Sequence, residues 1–154
     1  MKRMILYGLI LAAAFLVPVK RLDVAVLEPV QTVWLSKVPG GYRLETDTED
    51  VGVGKTVSQA LRDLEESCTG VIYLDTAQNL LVSENAQDAI AALRQYLKKS
   101  VRLCQWDGEG KLAEAGRYMN ARNLGIRLDQ WTQGTELKKL GIFEKALDKR
   151  GKNW

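Results

Sequence analysis

A glycine-rich stretch ahead of a predicted helix is the first place where this sequence could hold a ligand. The stretch Gly52-Val53-Gly54-Lys55-Thr56 ends in the Gly-Lys-Thr of phosphate-binding loops, in which backbone N–H groups surround the phosphate oxygens. Such a loop also needs a glycine at the start of the motif, and Glu49 holds that position. Because a carboxylate there would face the phosphate, we expect no nucleotide and no other cofactor at this stretch.

Acidic side chains near the ends of predicted elements could supply general acid and base groups. They are Glu65, Glu66, Asp75, Glu84 and Asp88. Paired carboxylates hydrolyse glycosides, but these residues fall on exposed helix faces or at turns, where acids are common. The sequence contains no histidine, the most frequent general base and metal ligand. We therefore expect no catalytic and no metal site, and the alternative is a small cell-envelope hydrolase that uses carboxylates.

Two cysteines, Cys68 and Cys104, could join in a disulfide if the chain is exported. The other interpretation is two buried thiols that behave as small hydrophobic side chains. Two cysteines are too few for a structural zinc site, and no Cys-x-x-Cys motif is present. A redox-responsive domain is therefore a third, less favoured function.

The charge of the chain argues against nucleic acid as a partner. The net charge is only +3 over 154 residues, and no stripe of lysine and arginine alternates with aromatic residues. Basic residues do gather near the C-terminus. Two interpretations of them are a solvated helix face and contact with anionic lipid. They are Lys138, Lys139, Lys145, Lys149, Arg150 and Lys152.

The N-terminus carries the strongest single signal in the sequence. Residues 2–3 are basic, residues 4–19 are apolar, and residues 20–21 are basic again, a pattern typical of export. The run is shorter than the ~20 residues of a full span, which flanking lysine and arginine extend by snorkelling. Cleavage after Ala12-Ala13-Ala14 is one interpretation. We favour an uncleaved transmembrane helix within residues 1–21, because apolar residues directly follow that site.

Strands are predicted where β-branched and aromatic residues concentrate or alternate. Residues 23–36 predict one strand, with Pro29 at a bulge or edge. Residues 42–48 alternate cleanly and predict a second strand that forms a hairpin with the first. The short apolar run of residues 71–74 predicts a buried strand, and residues 101–106 predict a fourth.

The unit from Gly52 to Leu64 is predicted to be the structural centre of the domain. Gly52 and Gly54 allow a tight turn, and Thr56 with Gln59 fits a capping box at a helix start. An apolar stripe then follows at helical spacing, formed by Val57, Ala60, Leu61 and Leu64.

Three further helical segments follow. Ser83 caps a predicted helix that runs to Lys99, whose stripe is Ala86, Ala89, Ile90, Leu93 and Leu97. The next helix places Leu112, Ala115 and Met119 on one face. Residues 135–150 are weakly helical, and Gly141 interrupts them.

Strands that alternate with helices predict crossover connections and some parallel pairing. We expect a mixed α/β fold in which helices pack on one mixed sheet of about four strands. The predicted organisation is a membrane segment at residues 1–21, an extracytoplasmic α/β domain at residues 22–134, and a basic helical tail at residues 135–154.

The stretch Val51-Gly-Val-Gly-Lys-Thr-Val-Ser-Gln-Ala-Leu-Arg-Asp-Leu resembles the N-terminal domain of the Ger(x)C family of spore-germination lipoproteins. The family has a similar Gly-x-Thr-x-x-x-Ala-Leu pattern at a helix start. A later stretch, Leu80-Leu-Val-Ser-Glu-Asn-Ala, and the strand that begins Val101-Arg-Leu are also similar. The resemblance covers residues 23–105, and its motifs are short ones that other α/β domains also contain.

This resemblance implies an association with germinant-receptor or spore-envelope membrane complexes, and it carries over no catalytic residue. The chain departs from the family in two ways: no cysteine for lipidation follows the apolar run, and the family's further domains are missing. From the residues and the resemblance together, we expect a non-catalytic domain, single-pass at a membrane, that binds other membrane or envelope proteins.

Overall fold

The computed structural model describes residues 27–140, with side chains from residue 29, and shows the predicted mixed α/β fold. Within these residues, three α-helices accompany one mixed sheet, which has six strands rather than about four. The predicted membrane segment at residues 1–21 and residues 141–154 of the predicted tail lie outside the described residues. Among the helices of residues 27–140, none is long and apolar enough to cross a membrane.

The strands are β1 (Leu27–Pro29), β2 (Thr32–Val38), β3 (Gly41–Thr46), β4 (Val51–Gly54), β5 (Val71–Tyr73), β6 (Asn79–Val82), β7 (Arg102–Gln105) and β8 (Ile126–Arg127). The helices are α1 (Val57–Ser67), α2 (Ile90–Leu93) and α3 (Leu112–Arg122). Short 3₁₀ turns occupy Leu74–Thr76, Glu84–Ala89 and Arg94–Tyr96.

The six-stranded sheet runs in the order β4-β3-β2-β6-β7-β8. Its centre is parallel, because β6 pairs in parallel with both β2 and β7, whereas β3, β4 and β8 join in antiparallel fashion. The predicted hairpin is present: β2 and β3 pair from Val38 with Gly41 back to Val33 with Thr46. Gly40 makes the turn with a φ of 87°, a conformation that glycine adopts without a Cβ clash.

The predicted strand at residues 23–36 is wrong in one respect, since the chain forms two strands there. β1 belongs to a separate two-stranded sheet and pairs in parallel with β5. It ends at Pro29, which has no N–H to continue a ladder, and β2 then begins at Thr32 in the main sheet. Pro29 therefore lies at the end of an edge strand, one of the two predicted positions, and not at a bulge.

The predicted turn at Gly52-Val53-Gly54 is also wrong, because these residues form the edge strand β4. Neither glycine has a positive φ. A Cβ on Gly52 would overlap the carbonyl oxygen of Ala60, and one on Gly54 would overlap the N atom of that residue. The glycines therefore let helix α1 lie directly on the backbone of β4, which is a packing requirement rather than a turn requirement.

The buried strand was predicted in the wrong place. Within residues 27–140, strand β5 pairs with β1 alone, and Val71 and Tyr73 are 47% and 40% exposed, respectively. The central buried strand is instead β6, in which every residue is buried. Its sequence, Asn-Leu-Leu-Val, offers an apolar run of only three residues, too short to be identified as a strand.

The long helix predicted from Ser83 to Lys99 is broken into a 3₁₀ turn, the single turn α2 and a second 3₁₀ turn. Its predicted apolar stripe is nevertheless buried throughout. The Ser83 hydroxyl bonds to the Asn85 side chain, 2.6 Å away, and caps no backbone N–H group. The stripe therefore predicted the buried face without fixing the type of helix.

Residues 135–140 are not helical, contrary to the predicted helix. The N–H of Gln105 donates to Lys138 O at 3.0 Å, and the N–H of Leu140 donates to Gln105 O at 2.8 Å. The segment thus pairs with the outer edge of β7 beyond the short strand β8, and both Leu137 and Leu140 are buried. Backbone groups at an open strand edge need partners, which explains why this segment is not a helix.

Helices cover both faces of the main sheet. The α1 face buries the stripes of α1 and α2 against Leu35, Leu80 and Leu103 of the strands. The α3 face buries the predicted apolar side of α3 against Leu81, Cys104 and Trp106. Alternate residues of β6 and β7 point to opposite faces, as the two-residue period of a strand requires.

Candidate functional site

An open cleft of about 680 Å³ lies at the amino ends of the parallel strands. Residues just before β2 and β6, and the first residue of β7, supply its floor, and the C-terminal end of α3 supplies one wall. The lining residues are Pro29, Gln31, Asp75, Thr76, Ala77, Gln78, Lys98, Ser100, Arg102, Asn120 and Asn123.

Backbone hydrogen bonds fix the floor of this cleft. The N–H groups of Gln78 and Asn79 both donate to Gln31 O, at 2.8 and 3.1 Å, and the Arg102 N–H donates to Gln78 O at 2.9 Å. The Asn120 amide donates to Gln78 Oε1 at 3.0 Å, which ties α3 to the same point. The cleft is therefore a preformed concavity with a polar surface.

The charged groups of the cleft are two cations, Lys98 and Arg102, and one carboxylate, Asp75. None of the ion pairs formed within residues 29–140 involves Lys98, its neighbour Lys99, or Arg102. Lys98 and Lys99 are exposed and Arg102 is half-buried. Carboxylates lie at this end as well: Asp47 accepts the N–H of the cleft residue Gln31 at 3.1 Å, and Asp50 belongs to the same β3–β4 turn.

Apolar side chains border the cleft on the side of the two-stranded sheet. Pro29 lines the cleft and is paired in register with Tyr73. Tyr73 and Val71 lie on one face of β5, and the 37% exposed Tyr96 is two residues before Lys98. Three of the four exposed large hydrophobic residues of the described chain are therefore close, in space or in sequence, to the residues of this cleft; the fourth is Val53.

The predicted structural unit is assembled as a strand–helix pair. Thr56 is the N-cap of α1, and its hydroxyl accepts the Gln59 N–H at 3.2 Å. The Gln59 side chain in turn accepts the N–H of Lys55 at 3.1 Å, one residue before the position that a standard capping box uses. Leu61 and Leu64 are 5% and 0% exposed in the core of the α1 face.

This geometry explains why the stretch does not have the shape of a phosphate loop. A phosphate loop needs free backbone N–H groups that converge on an anion. Here the side chains of Gln59 and Thr56 already accept the N–H groups of Lys55 and Gln59. Two residues, Lys55 and Thr56, connect β4 to α1, and the glycines are part of the strand.

The five acidic residues named from the sequence lie on separate surfaces. Glu65 and Glu66 are on the exposed side of α1, and Asp75 lies in the amino-end cleft. At the carboxyl ends of the parallel strands, Glu84 borders a second open cavity of about 580 Å³. Asp88 instead accepts a hydrogen bond from Tyr42 and pairs with Lys37. Asp75 and Glu84 therefore lie at opposite ends of the parallel strands.

Both cysteines are free thiols in the structure. The Cys68 thiol follows α1 and donates to the carbonyl oxygens of Glu65 and Gly70. Cys104 lies on β7 in the core of the α3 face, so the sheet lies between it and the α1 layer. Burial raises the pKa of the Cys104 thiol to about 11, although the nearby charge of Lys138 partly opposes this shift. No disulfide joins Cys68 to Cys104 in the structure.

Sequence reasoning did not identify the amino-end cleft. Lys99 falls at the end of the predicted long helix, and Arg102 falls in a predicted strand. The available signal was the close spacing of three basic residues around the start of a strand, within Lys98-Lys-Ser-Val-Arg102. Their common location depends on the register of β6 with β7, which the sequence alone does not specify.

No group of three or more histidine, cysteine, aspartate or glutamate residues within the described part of the chain is arranged to hold a metal ion. Comparison of this chain with models of protein families, with curated proteins and with solved structures gives no match.

Proposed function

We propose that this chain is a non-catalytic interaction domain that its N-terminal apolar segment holds at a membrane, with the domain on the extracytoplasmic side. The observation that carries this proposal is the order of the segments. The apolar run closes at Arg21, and β1 begins at Leu27, so few residues separate the proposed membrane segment from the folded domain. The domain is therefore held close to the membrane surface.

The arrangement of the polar groups supports an interaction role over the hydrolase alternative. A glycosidase needs two carboxylates that face each other across the scissile bond. Asp75 and Glu84 lie at opposite ends of the sheet, and Asp88 is already engaged by Tyr42 and Lys37, which favours the interaction role.

The resemblance of residues 51–64 and 80–86 to the germination family suggests the setting. We propose a sporulation or germination membrane complex, in which this domain contacts other membrane or envelope proteins. The resembling motifs fall on two structural features, which are the apolar run of β6 and the packing of α1 on the glycines of β4.

Membrane fractionation of cells that express the full chain tests the proposal. We expect the protein to resist extraction by salt and alkaline carbonate, and to have an intact N-terminus by mass spectrometry. Protease added to spheroplasts should digest the domain if it faces outward. A matched variant without residues 1–21 should be recovered in the soluble fraction. A mature N-terminus between Ala14 and Asp23, with recovery of the wild-type chain as soluble protein, would contradict the anchor.

A further inference from the structure

We propose that Phe143, three residues beyond the last described residue, places its ring in a cavity between α3 and the outer edge of the main sheet. The cavity has a volume of about 180 Å³. Three observations carry this inference: the apolar inner side of the cavity, its size, and the point at which the described chain reaches it. The inference does not rest on the proposed membrane attachment, and it gives the predicted tail a contact within its own domain.

The inner side of the cavity is apolar. Cys104 on β7 and Leu140 are buried there, and Leu124, which follows α3, is half-buried. Cys104 and Leu140 belong to the core of the α3 face, and Leu124 packs against that core. An apolar side chain that enters the cavity would therefore extend this core and remove more apolar surface from water, which stabilises the fold.

The basic residues at the mouth of the cavity do not favour a free anion. They are Arg122, Lys138 and Lys139, and all three are exposed. The Arg122 guanidinium lies over the Tyr118 ring, 5.3 Å from its centroid, and the Lys139 ammonium pairs with Asp107 at 3.0 Å. Two of the three cations thus already have partners. The apolar inner side, rather than the charge at the mouth, therefore decides what the cavity accepts.

The size of the cavity matches one aromatic ring. An apolar protein cavity of roughly 150 Å³ binds a benzene molecule. At about 180 Å³, this cavity has room for one phenylalanine ring. The aromatic residues of the sequence beyond Leu140 are Phe143 and Trp154, and Phe143 is the nearer of the two.

The path of the chain selects this segment as the occupant. Leu140 is the last described residue and also lines the cavity, and its N–H donates to Gln105 O at 2.8 Å. Phe143 follows three residues later, so its Cα is at most ~11 Å from that of Leu140. At helical spacing, Phe143 shares the side on which Leu140 lies. A ring attached this closely has a high effective concentration, which favours it over a free ligand.

Nuclear Overhauser contacts in the full chain, held in detergent micelles, test this placement. The sequence contains two phenylalanines, Phe15 and Phe143, so phenylalanine labelling of a Phe15→Leu variant reports a single ring. We expect contacts between the Phe143 ring and the methyl groups of Leu124, which is distant from it in sequence. The methyl groups of the neighbouring Ile142 should show no such contact, and they serve as the internal control.

Hydrogen exchange of the Leu140 amide measures the strength of the contact. Phe143→Ala empties the cavity, so we expect this amide to exchange roughly 10- to 150-fold faster, the factor that corresponds to burial of one phenylalanine side chain. Ile142→Ala removes a similar apolar side chain from the same segment, and it should change the rate much less. A dispersed amide spectrum of each variant shows that the domain is still folded.

Every other occupant of the cavity gives a distinct result that overturns the inference. Contacts of Leu124 with Ile142 in place of Phe143 would assign the cavity to a different side chain. Contacts only between labelled and unlabelled chains in a mixed sample would assign it to a second copy. Contacts of Leu124 with detergent would assign it to a small amphiphile. No contact, together with equal exchange in the two variants, would mean that the ring does not enter. None of these results depends on whether residues 1–21 hold the chain at a membrane, so the two proposals fail separately.

Discussion

The two faces of the main sheet achieve close helix packing in opposite ways. On the α1 face the glycines are in the strand, and Gly52 and Gly54 admit the backbone of α1. On the α3 face the glycine is in the helix: a Cβ on Gly116 would overlap the Thr32 hydroxyl on β2. The glycines of β4 approach backbone atoms of α1, whereas the glycine of α3 approaches a side chain of β2. The α1 face therefore has less freedom to adjust.

The two faces also differ in the polarity of their buried side chains. The core of the α1 face is almost entirely aliphatic, whereas the α3 face buries Thr32, Asn79 and Cys104 beneath α3 and beside Trp106. Asn79 donates to Gly116 O at 3.4 Å, and its own oxygen has no hydrogen-bond partner among the described residues. Unsatisfied buried polar groups reduce stability, so the α1 face should supply most of it.

Truncation of a leucine on the α1 face should produce the largest effect. Leu64 is fully buried and packs where α1 lies on β4. We expect Leu64→Ala to lower the free energy of unfolding by about 2–5 kcal/mol, since it creates a cavity that the rigid packing cannot close. Urea denaturation measures this, with the exposed Val53→Ala on β4 as the control. Equal midpoints for the two variants would show that the α1 face is not the dominant core.

A buried thiol makes the α3 face sensitive to alkaline pH. The pKa of Cys104 is about 11 in the folded protein and 9.0 when unperturbed, so folding favours the protonated thiol. The contribution of the protonated Cys104 thiol to folding stability is fully present below pH 9 and is lost as the pH rises toward 11. We expect the wild type to lose up to about 2–3 kcal/mol of stability relative to Cys104→Ala across this window. A pH-independent difference between the two denaturation curves would contradict the prediction.

A methyl group on the strand side of the α1 face should be poorly tolerated. In Gly52→Ala the new Cβ would lie 2.5 Å from Leu64 N and would overlap Ala60 O, and both atoms are backbone. We expect a loss of about 1–3 kcal/mol. No side-chain truncation should restore it, so the double variant with Leu64→Ala should be at least as unstable as either single variant in a thermal melt.

The corresponding change on the α3 face should be partly reversible. Gly116→Ala would place a Cβ 2.9 Å from Thr32 Cβ, so its main clash is with a side chain. We expect a loss of about 1–2 kcal/mol that Thr32→Ala reduces in the double variant. A double-mutant cycle measures this coupling. Strict additivity would mean that the helix, rather than Thr32, absorbs the clash, and the two faces would then not differ as described.

The same comparison explains how far the sequence could predict the fold. The stripes of α1, α2 and α3 were identified because helical spacing marks a buried face directly. The role of Gly52 and Gly54 was missed, since a glycine needed for close approach looks the same in sequence as one needed for a turn. β6 was missed because three apolar residues give no measurable period, and residues 135–140 because a free strand edge is a property of the assembled sheet.

The candidate site was less predictable than the fold, for a physical reason. Residues such as Gln31, Gln78 and Arg102 are far apart in sequence and meet because three parallel strands begin at the same level. The register of those strands is determined by side-chain packing across the whole sheet. Local patterns therefore identified the elements, but they could not identify the cleft.

The smallest expected effect concerns the cap of α1, and it tests whether helix initiation or burial holds this helix on β4. The Thr56 hydroxyl accepts one N–H group of the first turn, and this end of α1 is exposed. We expect Thr56→Ala to cost about 1 kcal/mol, because water can replace part of the lost hydrogen bond. Thr56→Ser should retain nearly full stability, since serine supplies the same acceptor.

The outer edge of β4 is additionally bonded by α1 side chains: Asp63 accepts the Val53 N–H at 2.8 Å, and Ser67 donates to Val51 O at 3.1 Å. These contacts and the buried stripe hold the helix after the cap is removed. A loss in Thr56→Ala as large as that in Leu64→Ala, measured by urea denaturation, would show instead that the start of the helix controls the packing of the α1 face.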